Sequence, residues 1–398
     1  DSVMETPLPT YGFDYSLVRS ADIDTAYNAL ITYVIPGSPA EAAGLERGNW
    51  IMKVDTSYIS KKYETQLLQG TQARDLVMGV WKEVPVEPEE GEEGEEEFVY
   101  KVVPNDITLK LPAARSIEDN PVHKTKILTV KENNRDIKVG YLMYNSFTAG
   151  TKAEPEKYNN ELRSVSQKFK EAGVQAVILD LRYNEGGSMD CVQLLGTILT
   201  SADRLGEPMA YLEYNDKNTD KDATILFGTD REINLNLHSL IAITSGTTMG
   251  APEMLIRSLF LEDTYPIATV GSSTKGQNVA TEQFINEEFL WSVNPVVCTV
   301  YNSQHDTYGA ISPATDLKVS ETTIDGSTNY SEFLPFGTFD KDGKSERLLK
   351  IAIGVLDGTY PPKDDETPEE STPQTRFKVE KSVSSPASRR FSSKGLRL

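Results

Sequence analysis

Three short stretches carry the residues whose types could do chemistry. Thr244-Ser245-Gly246-Thr247-Thr248-Met249-Gly250-Ala251-Pro252-Glu253 follows an apolar run and leads into an amphipathic segment, the pattern of a strand passing through a small-residue turn into a helix. Asp180-Leu181-Arg182-Tyr183-Asn184-Glu185-Gly186-Gly187 closes another apolar run; its adjacent glycines let backbone approach a ligand, and Arg182 and Asn184 can lock the turn. Gly271-Ser272-Ser273-Thr274-Lys275-Gly276-Gln277-Asn278 brings an amine. A hydroxyl beside an amine is the raw material of acyl transfer, provided the lysine is desolvated enough to be neutral part of the time and lies within hydrogen-bond reach. Hydroxyls occur only in the first half of the helix-leading stretch, at Thr244 in the apolar run and at Ser245, Thr247 and Thr248 in the turn, while Gly250, Ala251 and Pro252 offer none.

These residues need a rigid frame. Ala176-Val177-Ile178-Leu179-Asp180-Leu181 is almost continuously apolar, as a central strand covered on both faces must be, and Leu240-Ile241-Ala242-Ile243-Thr244 is of the same kind. In parallel sheets ligands sit at the carboxyl ends of such strands. Residues 156–172 read as a helix, with Tyr158, Leu162, Val165 and Phe169 on one face, stopped by Gly173. Lys138-Val139-Gly140-Tyr141-Leu142-Met143-Tyr144 reads as a strand. Residues from about 120 to 358 therefore alternate strands and helices, whereas those from about 8 to 112 read as short strands with one or two helices. The chain is mixed α/β.

A length of 398 residues allows two or three domains with real cores, and the longest apolar runs fall well short of a membrane span of about 20 residues. Residues 371–398 hold seven Lys/Arg against one acid, a net +6, so residues 1–370 carry −26 of the chain's total of −20. A body this acidic repels phosphate backbones, which excludes nucleic-acid binding by the folded part. Glutamate crowds residues 86–97, which read as a solvated loop between the strands Asp75-Leu76-Val77-Met78-Gly79-Val80-Trp81 and Phe98-Val99-Tyr100-Lys101-Val102-Val103, an insertion within a domain. From Pro361-Pro362 onward the composition reads as a flexible basic tail, residues 361–398. Cys191 and Cys298 are either two buried thiols or one bridge, and their spacing fits no metal finger. His123, His238 and His305 lack ligand spacing and residues 214–222 are too irregular for a calcium loop, so neither metal nor cofactor is expected. A first residue of Asp suggests a trimmed chain whose targeting segment lies outside this sequence.

The first block carries Ser38-Pro39-Ala40-Glu41-Ala42-Ala43-Gly44-Leu45, a one-turn helix capped by Ser38 with Pro39 at its first position and Gly44 at its exit. With Gly48, Ile51 and Val54 downstream it resembles the PDZ domains of bacterial proteases, and Tyr11-Gly12-Phe13-Asp14 is similar to their carboxylate-binding loop. The resemblance implies that a peptide or protein C-terminus adds as a strand between that loop and a helix over residues 63–73.

With the Asp180–Gly187 turn, the Gly140-Tyr141…Phe147 segment and Gly309-Ala310-Ile311-Ser312-Pro313-Ala314-Thr315-Asp316 followed by Val319, the chain resembles the S41 peptidases, the C-terminal processing proteases. That resemblance implies a PDZ-like β-rich domain over 1–115, an α/β protease core of the ClpP/crotonase-like kind over 116–360, and the tail beyond. It also implies a cell-envelope location. Aligned on Glu253, the nucleophile's position falls on Gly250; aligned on the T-x-G-K motif, the general base's falls on Gln277 and the assisting residue's on Thr281. The oxyanion donors implied are the N–H groups of Ala251 and of Gly186 or Gly187, with Asp180, Arg182 and Asn184 as support. The expectation is a homologue that binds protein C-termini or extended peptides without cutting them. The alternative is an active serine-type endopeptidase with a rearranged site, in which Ser245, Thr247 or Thr248 works with Lys275.

Overall fold

The computed structural model describes residues 8–85, 98–286, 288–289, 291–319, 327–329, 334–339, 346–360, 376–385 and 394–398. The acidic 86–97 loop and residues 361–375 and 386–393 of the expected tail lie outside them. The chain divides into two units, residues 1–119 with 321–347 and 364–388, and residues 120–320 with 348–363 and 389–398.

The first unit begins with β1 (Phe13–Arg19), β2 (Tyr27–Val34), α1 (Pro39–Ala42), β3 (Trp50–Val54), β4 (Ser57–Tyr58), α2 (Glu64–Leu68), β5 (Arg74–Pro85) and β6 (Phe98–Leu111). The Ser38 hydroxyl accepts the Glu41 N–H at 3.1 Å, the expected cap of α1. Aromatic and aliphatic side chains of β1, β2, β3 and α2, among them Tyr11, Phe13, Tyr15, Ile51, Leu67 and Leu68, form one core. β5 and β6 pair antiparallel from Arg74↔Leu111 to Pro85↔Phe98, so the acidic stretch joins the far end of a long hairpin.

The second unit runs β7 (Val122–Glu132), β8 (Arg135–Tyr144), α3 (Lys157–Glu171), β9 (Val174–Asp180), β10 (Gly186–Ser188), α4 (Met189–Leu199), β11 (Pro208–Tyr214), β12 (Ala223–Leu226), β13 (Leu240–Thr244), α5 (Ala251–Leu259), β14 (Ile267–Gly271), β15 (Val279–Thr281), β16 (Phe284–Asn286), β17 (Trp291–Val293) and β18 (Val296–Tyr301). One sheet has the order β14-β13-β9-β8-β7, parallel throughout except for the edge strand β7. Its central strand β9 is buried at every position but Gln175, as its unbroken apolar run requires. α3 sets Tyr158, Leu162, Val165 and Phe169 into the core.

The rest of the chain departs from expectation. β19 (Ser327–Asn329), α6 (Arg347–Asp357), β20 (Arg376–Val383) and β21 (Gly395–Arg397) follow, and two of these strands belong to the stretch expected to be a flexible tail. β20 pairs antiparallel with β1 and extends the first unit's sheet to β19-β20-β1-β2-β3-β5-β6. β21 enters the second unit's other sheet, β10-β21-β15-β18-β11-β12, parallel to both neighbours. The reason is local: an open strand edge presents unpaired N–H and C=O groups, and short apolar-containing segments satisfy them. Phe377 is buried against Trp50 and Trp81, with ring centroids 5.2 and 5.3 Å away.

Candidate active site

The turn after β9 is built around a buried ion pair. Asp180 and Arg182 are both fully buried, and the guanidinium folds back on the carboxylate, Nη2 to Oδ2 at 2.7 Å and Nε to Oδ1 at 3.0 Å. The Tyr141 hydroxyl donates to Asp180 Oδ2 at 2.8 Å. Asn184 completes the lock: its Nδ2 donates to the Tyr144 carbonyl at 2.9 Å and its Oδ1 accepts the Gly186 N–H at 3.0 Å. The Gly186 N–H is therefore spent on the turn, which removes it from the two expected oxyanion donors. Gly187 stands differently. Phe147 bonds to the Gly186 carbonyl and the Ser188 N–H, so the Gly187 N–H faces the opposite side, toward β21. Both glycines hold positive φ, +128° and +137°; a Cβ on the first would meet the Gly395 carbonyl oxygen at 1.8 Å and on the second the Phe147 carbonyl oxygen at 2.1 Å.

The stretch from β13 to α5 is a sharp strand-to-helix turn. Gly250 is the N-cap of α5 with φ 70° and ψ −103°, followed by buried Ala251 at the first helical position and Pro252. A strained turn of this kind is where nucleophiles are mounted on α/β sheets, yet this one presents only hydrogen. Three hydroxyls precede it. Ser245 Oγ and Thr247 Oγ1 donate to the Arg182 carbonyl, the latter at 2.9 Å, and Thr248 Oγ1 donates to the Leu181 carbonyl at 2.9 Å. All three thus staple this turn to the one after β9. Lys275 is exposed and meets the stretch through its backbone, its N–H donating to the Thr248 carbonyl at 3.0 Å.

Glu253 joins the helix tip to the loop holding the base position. This fully buried carboxylate accepts four hydrogen bonds: Thr274 Oγ1 and the Gly276 N–H on Oε1 at 2.5 Å each, and the Gly250 and Gln277 N–H groups on Oε2 at 2.7 and 2.9 Å. Four donors match the lone-pair capacity of a carboxylate, and the helix start adds its positive end. The helix-start role of Glu253 follows from its position; its grip on residues 274–277 has no local sequence signal. Gln277 lies beside Gly395, and its Oε1 is buried with no hydrogen-bond partner among the described residues. An amide is not a base. Thr281, at the assisting position, donates its hydroxyl to the Leu396 carbonyl at 3.2 Å. The 309–316 stretch packs against the same loop, the Thr274 N–H reaching the Ile311 carbonyl at 3.0 Å.

In the first unit the expected carboxylate loop is filled from within. The Gly12 N–H donates to Thr10 Oγ1 at 3.1 Å, the Tyr11 carbonyl accepts the Ala40 N–H at 2.9 Å, and Asp14 accepts the Ser385 N–H at 2.6 Å. Phe13 and Tyr11 are core residues, and a Cβ on Gly12 would lie 2.3 Å from Ser38 Cβ. Where an added peptide strand is expected, β20 lies: Tyr15 pairs with Val383, and Lys381 Nζ contacts Glu64 Oε2 on α2 at 2.6 Å.

Other candidates stay apart from this chemistry. Cys191 and Cys298 are free, buried thiols, and burial pushes them up to about 12 and about 11. At pH 8 only about one in 10³–10⁴ such groups is a thiolate, so neither should react with a disulfide reagent such as DTNB within an hour until the protein is unfolded. Rapid labelling of native protein would contradict that burial. His305 stacks on Tyr211 and pairs with Glu213 at 2.7 Å on the surface. Among the described residues no group of three or more His, Cys, Asp or Glu gathers as metal ligands.

The sequence profile of peptidase family S41 matches residues 138–293. A Bacteroides fragilis NCTC 9343 protein named as an S41 protease, solved at 2.00 Å, is 39% identical, with 90% of this chain and 85% of that one aligned at a TM-score of 0.75. The photosystem II D1 C-terminal processing protease is 16% identical over 80% of this chain and 74% of its own, with a TM-score of 0.40. Mature CPAF is 13% identical over 88% and 84%, with a TM-score of 0.41. Comparison with curated proteins finds no match. With the family profile matching residues 138–293 and 39% identity to an S41 protease over nine-tenths of its length, this chain belongs to peptidase family S41.

Proposed function

We propose that this S41 homologue holds extended peptides or protein C-termini in its peptidase groove and does not cleave them. The observation that supports the reading is the helix tip itself: Gly250, where the family resemblance puts the nucleophile, offers only hydrogen, and the hydroxyls of Ser245, Thr247 and Thr248 are each committed to a carbonyl of residue 181 or 182. Gln277 at the base position and an exposed Lys275 leave no amine to activate one. Loss of nucleophile and base together costs on the order of a millionfold in turnover. Backbone donors survive such losses, and the Gly187 N–H with the start of α5 can hold a peptide carbonyl. The first unit is proposed to act as a PDZ-like strand acceptor, supported by β20, a strand of this same chain that adds to the β1 edge and reaches Glu64 of α2. Location in the cell envelope is proposed from the family resemblance; no helix among the described residues is long and apolar enough to cross a membrane.

Incubation with a fluorophosphonate probe and with an unstructured protein substrate tests the reading. No labelling and no cleavage above a buffer control are expected. Labelling mapped by mass spectrometry to Ser245, Thr247 or Thr248 would overturn it in favour of a rearranged peptidase.

A further inference from the structure

The groove that should receive a peptide contains one, and it comes from this chain. β21 runs between β10 and β15, with Gly186↔Gly395, Gly187↔Leu396 and Ser188↔Arg397 on one side and Ala280↔Leu396 and Thr281↔Arg397 on the other. The Gly395 N–H donates to the Glu185 carbonyl at 2.7 Å and the Leu398 N–H to the Thr281 carbonyl at 3.0 Å. A Cβ built on Gly250 would lie 2.5 Å from the Gly395 carbonyl carbon and 2.7 Å from the Leu396 nitrogen. The Gly395–Leu396 peptide bond thus lies over Gly250, the position that the family resemblance assigns to the nucleophile.

Three residues of the segment are matched by features of the groove. Gly395 has φ +77°, a conformation that strains any other residue, and a Cβ there would push against the movable end of the Gln277 side chain at 2.6 Å. Leu396 is 1% exposed and belongs to the second unit's core cluster with Ala251, Met254 and Ala280. Lys394 Nζ lies 3.8 Å from Glu185 Oε2. The same stretch of sequence supplies β20 to the edge of β1 in the first unit, so strand donation by this region occurs twice. We infer that residues 394–398 are the resident, displaceable ligand of the groove, and that they define its ligand class: a basic, extended peptide with glycine at the position facing Gly250 and an aliphatic residue after it. This rests on the peptide-holding reading above and adds to it a regulation, since an outside peptide must first displace the segment. A tethered competitor acts at an effective concentration in the millimolar range, so its presence weakens apparent affinity by the fraction of time the groove is free.

The test uses the full chain and a fluorescein-labelled peptide Ser-Ser-Lys-Gly-Leu-Arg-Leu, read by fluorescence anisotropy. Leu396→Asp places a charge in the buried aliphatic site and should vacate the groove. The variant is expected to bind the peptide at least about tenfold more tightly than the unaltered chain, while Leu8→Asp, at an exposed position outside the groove, changes nothing. A scrambled peptide should not bind either form. Equal tight binding by the unaltered chain and Leu396→Asp would overturn self-occupancy and leave the peptide-holding reading standing. Absence of binding to both, with circular dichroism confirming a folded variant, would overturn self-occupancy and the groove reading together. Should Leu396→Asp fail to fold, hydrogen exchange on the unaltered chain decides. Saturating unlabelled peptide is expected to expose the Gly395 and Leu398 amides, and unchanged protection would show a fixed structural strand.

Discussion

Replacing Arg182 with methionine is expected to cost the second unit about 3–5 kcal/mol of stability. The reason is the charge left behind. Asp180 is fully buried, and without the guanidinium its carboxylate keeps only the Tyr141 hydroxyl and the residue-182 N–H among the bonds described above. The loss spreads, because the Arg182 carbonyl receives Ser245 and Thr247, and any shift of that turn loosens the helix tip as well. Far-ultraviolet circular dichroism in urea is the right probe. The first unit's helices α1 and α2 are four and five residues long, so most of the helical signal reports the second unit. Removing both charges, Asp180→Leu with Arg182→Met, should recover part of the loss, since an apolar pair of similar volume leaves nothing uncompensated. A single variant less than about 1 kcal/mol below the parent would mean the pair positions nothing.

Much of this frame is legible in the sequence because its causes are local. Asp180, Arg182, Asn184, Gly186 and Gly187 sit within eight residues, and their contacts are largely turn contacts between near neighbours. The apolar runs that become β9 and β13 declare themselves by continuity, and the α3 face by its period. The helix expected over 63–73 closes early, as α2 ending at Leu68, because a propensity reading of a short polar segment has no packed face to set its length. Glu253 shows the opposite limit. Its position near a helix start is visible, but three of its four donors come from residues 21, 23 and 24 positions later, a relation no period encodes. The stretch beyond residue 360 departs furthest from what its composition suggests. Residues 361–398 average to a polar, basic composition that resembles a linker, which conceals the apolar positions Phe377, Val379 and Val383 of β20. β21, at three residues, is too short for any period to be recognised; its place is dictated by the edges of β10 and β15.

Introducing the side chains that the family resemblance implies for an active site, Gly250→Ser with Gln277→Lys, is expected to give no hydrolysis in the otherwise unaltered chain and measurable hydrolysis once Leu396→Asp is added. In the double variant the new Cβ at position 250 falls within 2.7 Å of the Gly395–Leu396 peptide unit, so the resident strand and the serine compete for the same space. Position 250 also holds φ 70°, which strains any residue but glycine by about 1–3 kcal/mol, and a lowered melting temperature should accompany the change. Vacating the groove frees both the serine and the Gly187 N–H. Recovery of even a small part of the roughly millionfold factor that nucleophile and base supply is detectable with a fluorogenic Lys-Gly-Leu-Arg peptide. A lysine at 277 would hang from a loop whose N–H is already fixed by Glu253, and proximity within about 1 Å decides whether it can activate the hydroxyl. The expected order of activity is therefore triple variant above double variant, and double variant equal to parent, with fluorophosphonate labelling mapped to position 250 following the same order. A folded triple variant that neither labels nor cleaves would mean that those two side chains and an open groove do not suffice for catalysis on this frame. Hydrolysis by the double variant equal to that of the triple would mean that residues 394–398 do not stand in the substrate's place.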